Sequence, residues 1–253
     1  MQSIAPAVTP LRAVLSTTVV PIRGFLFDLD GTLVDSERES GEAMARALLA
    51  GQGIEVTQYD RDFVVGKSWV AIFESVKTRY PQLAWDMHEL IKQTAQHRDQ
   101  VIAEHGIGVM PGAREVLAWT RPRALVTGSS RVEVHQVLPL IADPASFEVI
   151  LAAEDVPRSK PAPDGYRMAL ARLGLAPHEC VVIEDSTAGI SAGLAAGCIV
   201  VGVRAGNFGG WDQSHAHRLI DSLDAFTPSL VDELAAIDPR DYGSAMAGPE
   251  RTP

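Results

Sequence analysis

Short apolar runs, each ending in polar residues or a turn, recur along the chain with stretches of helical periodicity between them. The first comprises Ile22, Phe25, Leu26 and Phe27; later ones are Arg123–Thr127, Phe147–Leu151, Cys180–Glu184 and Cys198–Val203. Runs of this length bounded by turn signals predict buried strands. Helical patterns fall at Ala113–Trp119, at Gly165–Leu173 behind Pro163 and Asp164, and at Ser186–Ala196, where Gly197 stands as a helix-ending residue. Strands alternating with helices predict an α/β fold built on a parallel, doubly wound sheet.

The rhythm breaks after Ser36. Glu42–Leu49, Ala71–Tyr80 and Leu83–Glu104 are amphipathic, no strand pattern is visible before Met110, and Pro111-Gly112 marks the return of the alternation. The economical reading is an all-helical insert over residues 37–110, with the core formed by 22–36 and 111–237. Residues 1–21 read as a disordered lead. Their apolar stretches are short and broken by Ser and Thr, and Arg12 is the one basic residue before them, which argues against a signal peptide. After Asp238 the abundance of Pro, Gly and Ala predicts a frayed tail over 238–253.

Composition narrows the function. With 253 residues, 46% of them hydrophobic, the chain can bury a large core. A net charge of -10 argues against a nucleic-acid or anionic-membrane partner, and no apolar stretch is long enough to span a bilayer. An acidic protein that acts on an anionic substrate must concentrate positive charge locally, through a metal or a few cations. Cys180 and Cys198 each adjoin an apolar run and read as buried free thiols, which suits a reducing cytosol.

The first apolar run ends in Asp28-Leu29-Asp30-Gly31-Thr32. Strand alternation would put Asp28 and Asp30 on one face, and two carboxylates in one spot require a cation, a shared proton or water. Taken alone, they could equally be strand-end and turn residues. The other strand ends change the balance: Thr127-Gly128-Ser129-Ser130, Lys160 within Arg158–Asp164, and Glu184-Asp185-Ser186. In a parallel sheet these ends share one edge, where open α/β folds bind ligands. Four acids, one Lys, a Thr hydroxyl and Gly-linked amides would then form a Mg²⁺ site beside a phosphate cradle. Thr127 as a plain strand terminus, Lys160 as a loop cation, and Ser129, Ser130 and Ser186 as helix caps remain open readings. The seven histidines show no metal-ligand spacing.

These segments, in this order, resemble the haloacid dehalogenase-like superfamily of phosphatases, in its capped, β-phosphoglucomutase-like subgroup. The resemblance spans roughly residues 24–226 and implies a Rossmann-like core with a helical cap domain inserted after the first strand. It implies that Asp28 is the nucleophile, that Asp30 is the general acid and base, and that Thr127 and Lys160 hold the transferring phosphoryl group, with Gly128 and Ser129 beside it. It further implies that Mg²⁺ is bound by Asp28, the backbone carbonyl of Asp30 and Asp185, with Glu184 either a ligand or a support for one. In the cap, Val65-Gly66-Lys67-Ser68-Trp69 corresponds to a segment that reads the substrate, which makes Lys67 and, near the hinge, Arg38 candidate substrate contacts. The implied partner is a small phosphorylated metabolite, handled in the cytoplasm by a monomer or homodimer.

Departures from relatives refine the expectation. An acid at Asp30 disfavours dehalogenase and phosphonate-cleaving chemistry. Mutases of the subgroup place a His at the position aligned with Ser40, so its absence favours hydrolysis over phosphosugar transfer. The Glu184-Asp185-Ser186 form differs from the Gly-Asp pattern of phosphoglycolate phosphatases and favours a sugar or polyol phosphate. A signalling receiver module would lack the i, i+2 acids and the insert, and a catalytically silent member would not need intact acids.

Overall fold

A computed structural model describes residues 20–65, 67 and 69–240 of the chain. The lead and tail expected to be disordered fall almost wholly outside these residues.

In chain order the elements are β1 (Gly24–Phe27), β2 (Val34–Asp35), α1 (Glu37–Gln52), α2 (Gln58–Phe63), α3 (Trp69–Arg79), α4 (Met87–His105), β3 (Gly108–Val109), α5 (Ala113–Leu117), β4 (Arg123–Val126), α6 (Arg131–Ile141), β5 (Val149–Leu151), α7 (Asp164–Leu173), β6 (Cys180–Glu184), α8 (Thr187–Ala196), β7 (Ile199–Val203), β8 (Arg218–Ile220) and α9 (Pro228–Leu234). Six strands form one sheet in the order β5-β4-β1-β6-β7-β8, and every neighbouring pair in it is parallel. The α/β reading of the sequence therefore holds. From β1 the chain builds outward through β4 and β5, then crosses to the other side with β6. The carboxyl end of β1 thus sits at the topological switch point, where such sheets hold ligands.

Alternation along the strands divides the core between the two faces of the sheet. Phe25, Phe27, Leu125, Val181, Ile183 and Val201 pack with Val116, Val134, Leu138, Leu230 and Leu234 on one face. Leu26, Val126, Val182 and Val200 pack with Tyr166, Leu170, Ile190 and Ala196 on the other. Both faces of β1, β6 and β7 are buried, so these strands read as continuous apolar runs. Cys180 and Cys198 are buried free thiols within this core.

Between β2 and β3 the chain makes a helical excursion with a core of its own: Met44, Leu48, Ile54, Val56, Ile72, Val76, Leu83 and Leu90 are packed together. The absence of any strand before Met110 needs correction, because β3 pairs antiparallel with β2 in register Val34↔Val109 and Asp35↔Gly108. Two residues are too few for alternation to register in sequence. Helix α6 and strand β8 also lacked a sequence signal. Pro139 inside α6 obscured its periodicity, and β8 is a three-residue strand at the sheet edge.

Asp60 anchors the insert. It is buried and accepts from the Thr57 amide at 2.8 Å, the Thr57 hydroxyl at 2.7 Å and the Tyr80 hydroxyl at 2.7 Å. Arg79 Nε lies 2.8 Å away. Burial opposes ionisation here, but these donors and the Arg79 charge prevail and hold the carboxyl below its usual range. The stabilisation is therefore present above the ordinary carboxylate pKa and fades as pH falls below it. Asp60→Ala strips the donors of their acceptor and is expected to cost about 3 kcal/mol. Urea unfolding followed by the fluorescence of Trp69 and Trp85, which pack on this core, checks it: the gap from wild type should be large at pH 7 and narrow towards pH 3.

Candidate active site

The first strand stops because the chain must turn. The Asp28 amide still donates to the Ile183 carbonyl at 3.1 Å, but beyond it Gly31 turns with φ +79, its amide bonding to the Val34 carbonyl at 2.7 Å. A Cβ at Gly31 would collide with the Asp185 carboxylate. The glycine therefore supplies a left-handed turn and also lets two strand ends meet closely.

Asp28 is buried, and its Oδ1 accepts from Lys160 Nζ at 2.5 Å. Lys160, carried on the loop after β5, also donates to Glu184 Oε1 at 2.5 Å and to the Val126 carbonyl at 2.9 Å. Although burial opposes its charge, the two carboxylates hold its ammonium protonated and raise its pKa. Burial, with Glu184 and Asp30 as like-charged neighbours, pushes Asp28 up to about 8 against the pull of Lys160. Burial, Asp28 and Glu184 push Asp185 up to about 9. The pocket thus gathers more carboxylate than one ammonium can balance.

That imbalance tests the fit of a metal. Asp28, Glu184 and Asp185 each offer an oxygen within 4.8 Å of the others. An all-oxygen donor set suits a hard divalent cation, whose charge would favour the ionised carboxylates. Glu184 is the least available of the three. It is fully buried, with Oε1 accepting from Lys160 and from the Tyr166 hydroxyl at 2.7 Å, and Oε2 accepting from the Ser186 hydroxyl at 3.0 Å. A side chain at Gly189 would overlap this carboxylate. Its environment is that of a group that steadies Lys160.

Asp30 faces other partners. It accepts from the Ser129 hydroxyl and, at 3.5 Å, from the Thr127 hydroxyl. Thr127 is buried and its Oγ1 accepts from the Ser129 amide at 2.9 Å. A Cβ added at Gly128 would meet nothing within 4 Å among the described residues. Ser130 caps α6 reciprocally with Glu133, and Ser186 caps α8 by accepting from the Gly189 amide at 3.0 Å.

Neither candidate from the insert makes a hydrogen bond or ion pair to this cluster among the described residues. Arg38 is 76% exposed and pairs with Asp35 at 2.9 Å. Lys67 is exposed, between Gly66 and Ser68, which lie outside the described residues. A different cation reaches the acids. Arg98 on α4 places Nη2 3.8 Å from Asp30 Oδ1 and donates through Nη1 to Glu133 Oε1 at 2.7 Å. Tyr166, under Lys160, and Gln213, which donates to the carbonyls of Asp185 and Val203 at 2.5 and 2.9 Å, also had no sequence signal. Tyr166 looks like a core aromatic, and the other two belong to no local motif.

A family model described as haloacid dehalogenase-like hydrolase matches residues 22–197. Hexitol phosphatase A of Escherichia coli K12 is 37% identical over 198 residues, covering 72% of this chain and 83% of that protein. Protein CbbY of Rhodobacter capsulatus is 31% identical over 226 residues, covering 84% of this chain and 99% of that protein. A crystal structure of a HAD family hydrolase from Deinococcus radiodurans R1, with bound phosphate and sodium, superposes with a TM-score of 0.66 at 25% identity, covering 87% of this chain and 99% of that one.

Proposed function

Because the chain belongs to the haloacid dehalogenase-like hydrolase family and is a phosphoric monoester hydrolase, we propose that it hydrolyses a small sugar or polyol phosphate with Mg²⁺, through an aspartyl-phosphate on Asp28. The observation that carries this reading is the division of labour between two acids two residues apart. Asp28 is buried against Lys160 and next to Asp185. Asp30 is held by the hydroxyls of Ser129 and Thr127. Paired carboxylates in different environments are how one site runs nucleophilic and acid–base chemistry together.

In this reading Asp28 Oδ attacks phosphorus as the bond to the leaving oxygen breaks, and Asp30 delivers its proton to that oxygen. Asp30 then takes a proton from the water that attacks the phospho-aspartate, which releases phosphate and restores Asp28. Lys160, Thr127 and the amides near Gly128 and Ser129 hold the phosphoryl oxygens. Asp28, Asp185 and the Asp30 carbonyl are the groups that would hold Mg²⁺, with Glu184 supporting Lys160. When bound, the ion neutralises charge on the transferring group. Residues 37–110 act as the cap that closes over the substrate and excludes water.

Phosphosugar transfer is the nearest rival. The Ser40 hydroxyl donates to the Ser36 carbonyl at 3.0 Å, within its own helix, which supports hydrolysis. Phosphate release from hexitol, hexose, glycerol and glycolate phosphates, with Mg²⁺ and with EDTA, tests the proposal. Mg²⁺-dependent release concentrated on the sugar and polyol esters is expected. Isomerisation of a sugar phosphate without release would replace hydrolysis by transfer, and preference for the glycolate ester would overturn the substrate class.

A further inference from the structure

Resting on the phosphatase reading and its Mg²⁺, we propose that Gln213, on the loop between β7 and β8, is a positioning residue that sets the Asp185 carboxylate for metal binding. Its side-chain nitrogen donates to the Asp185 carbonyl at 2.5 Å and to the Val203 carbonyl at 2.9 Å. The backbone ladder between β6 and β7 ends with the pair Glu184↔Gly202. Gln213 bridges the next residue of each strand, so one side-chain amide takes over where backbone pairing stops. The residue is 5% exposed. Both partners are carbonyls, which only accept, so the amide must turn its two hydrogens towards them.

Asp185 needs such a restraint. One of its carboxylate oxygens lies within 4.8 Å of oxygens on Asp28 and Glu184, and like charges at that range push apart. Among the described residues, the one side chain that donates to its carboxylate is Thr32, at 3.5 Å. The orientation of so short a side chain therefore follows from its backbone, and the backbone is what Gln213 holds. Groups that orient a ligand in this way tune the affinity of the metal it binds.

The loop that carries Gln213 is itself pinned at both ends. The Asp212 carbonyl accepts from the Thr187 hydroxyl at 2.6 Å, and His215 Nε2 lies 3.2 Å from Ser191 Oγ. Thr187 and Ser191 belong to α8, the helix that begins two residues after Asp185. Near its start the loop abuts the turn after β1: a Cβ at Gly206 would collide with the Gly31 carbonyl. One loop thus braces the two turns that carry the proposed metal ligands, Asp30-Gly31 and Glu184-Asp185, and Gln213 is its contact with the second.

The test is Mg²⁺ binding by the full-length protein without substrate, read by competition against Mn²⁺ in electron paramagnetic resonance. Gln213→Met keeps the length of the side chain and removes both donors. It should raise the Mg²⁺ Kd about 10-fold, as the loss of a group that orients a metal ligand does, and lower Tm by about 5 °C. Asp60→Ala is the control for lost stability alone. The partners of Asp60, among them Thr57, Tyr80 and Arg79, lie in the insert, so its Kd should match wild type. A lowered Tm with a wild-type Kd in Gln213→Met makes Gln213 a structural residue only, which overturns the proposal and leaves the phosphatase reading intact. If Gln213→Met does not fold, Thr187→Val decides: it frees the loop from α8 with Gln213 in place and should raise the Kd about 3-fold, whereas an unchanged Kd overturns the proposal. No Mg²⁺ binding by the wild type overturns both the proposal and the Mg²⁺ reading.

Discussion

Asp28→Asn lowers kcat by about 10⁴-fold or more, while the protein stays folded and, at pH 8 without metal, loses no stability. The first effect follows from the role proposed for Asp28: an amide oxygen is a poor nucleophile towards a phosphate ester, and nothing else touching Lys160 could replace it, since Glu184 is enclosed by Tyr166 and Ser186. The second follows from its surroundings. Folding raises the Asp28 pKa to about 8, against about 3.9 for an unperturbed Asp. Between those values the folded chain keeps a proton that the unfolded chain releases. Stability of the metal-free protein therefore declines as pH rises through that window. Asparagine carries no charge to bury, so its share of the decline disappears, and Lys160 still has Glu184 at 2.5 Å. Urea midpoints at pH 5.5 and 8.5 in EDTA, with phosphate-release assays in Mg²⁺, check both halves. Residual turnover above a few per cent would remove Asp28 from the nucleophile role.

Lys160→Ala fails in the opposite manner, losing both activity and stability. Its ammonium answers Asp28 and Glu184, each at 2.5 Å, and lies 5.3 Å from the centre of the Tyr166 ring. Removing one partner of a buried ionic cluster leaves carboxylates without compensation, at a cost of about 3 kcal/mol or more. In the role proposed for it, holding the transferring phosphoryl group, the loss of Lys160 should lower kcat by about 10²- to 10³-fold. Added Mg²⁺ should recover part of the stability, because a cation at Asp28 and Asp185 relieves the same excess of negative charge. Circular dichroism melts with and without Mg²⁺ read this directly. A variant as stable as wild type in EDTA would mean that the cluster is neutralised by protons and that Lys160 matters only for chemistry.

What could be read from the chain divides by range. Strand ends carry local signatures: an apolar run, a polar stop, a glycine. The order of such runs was enough to predict a parallel sheet that gathers Asp28, Lys160, Glu184 and Asp185 at one edge. Partnerships across the fold leave no such trace. Arg98 sits in an ordinary amphipathic helix, and nothing near it in sequence announces Glu133 or Asp30 as neighbours. Proximity to the hinge pointed instead to Arg38, whose side chain turns to Asp35 and solvent. Thr94 is legible only as a small polar residue on a helix, whereas the structure buries its hydroxyl without a hydrogen-bond partner among the described residues. Glu184 shows the same limit. Its place in the motif implied either coordination or support, and only the positions of Tyr166, Ser186 and Gly189 reveal how its oxygens are used.

The short ribbon of β2 and β3 has an evolutionary consequence. Asp35 and Gly108 pair across it, so the helical excursion departs and returns at positions about 5 Å apart. Closing a longer or shorter detour between fixed ends changes the chain entropy only slowly with length, and the excursion carries its own core. The segment can therefore be lengthened or trimmed at little entropic cost, while its cation at the strand ends, Arg98 beside Asp30, ties an exchange to keeping that contact. On the reading proposed for the insert as a substrate-reading cap, substrate preference is transplantable: a chimera with a relative's segment spliced between Asp35 and Gly108 is expected to take on that relative's preference among alcohols.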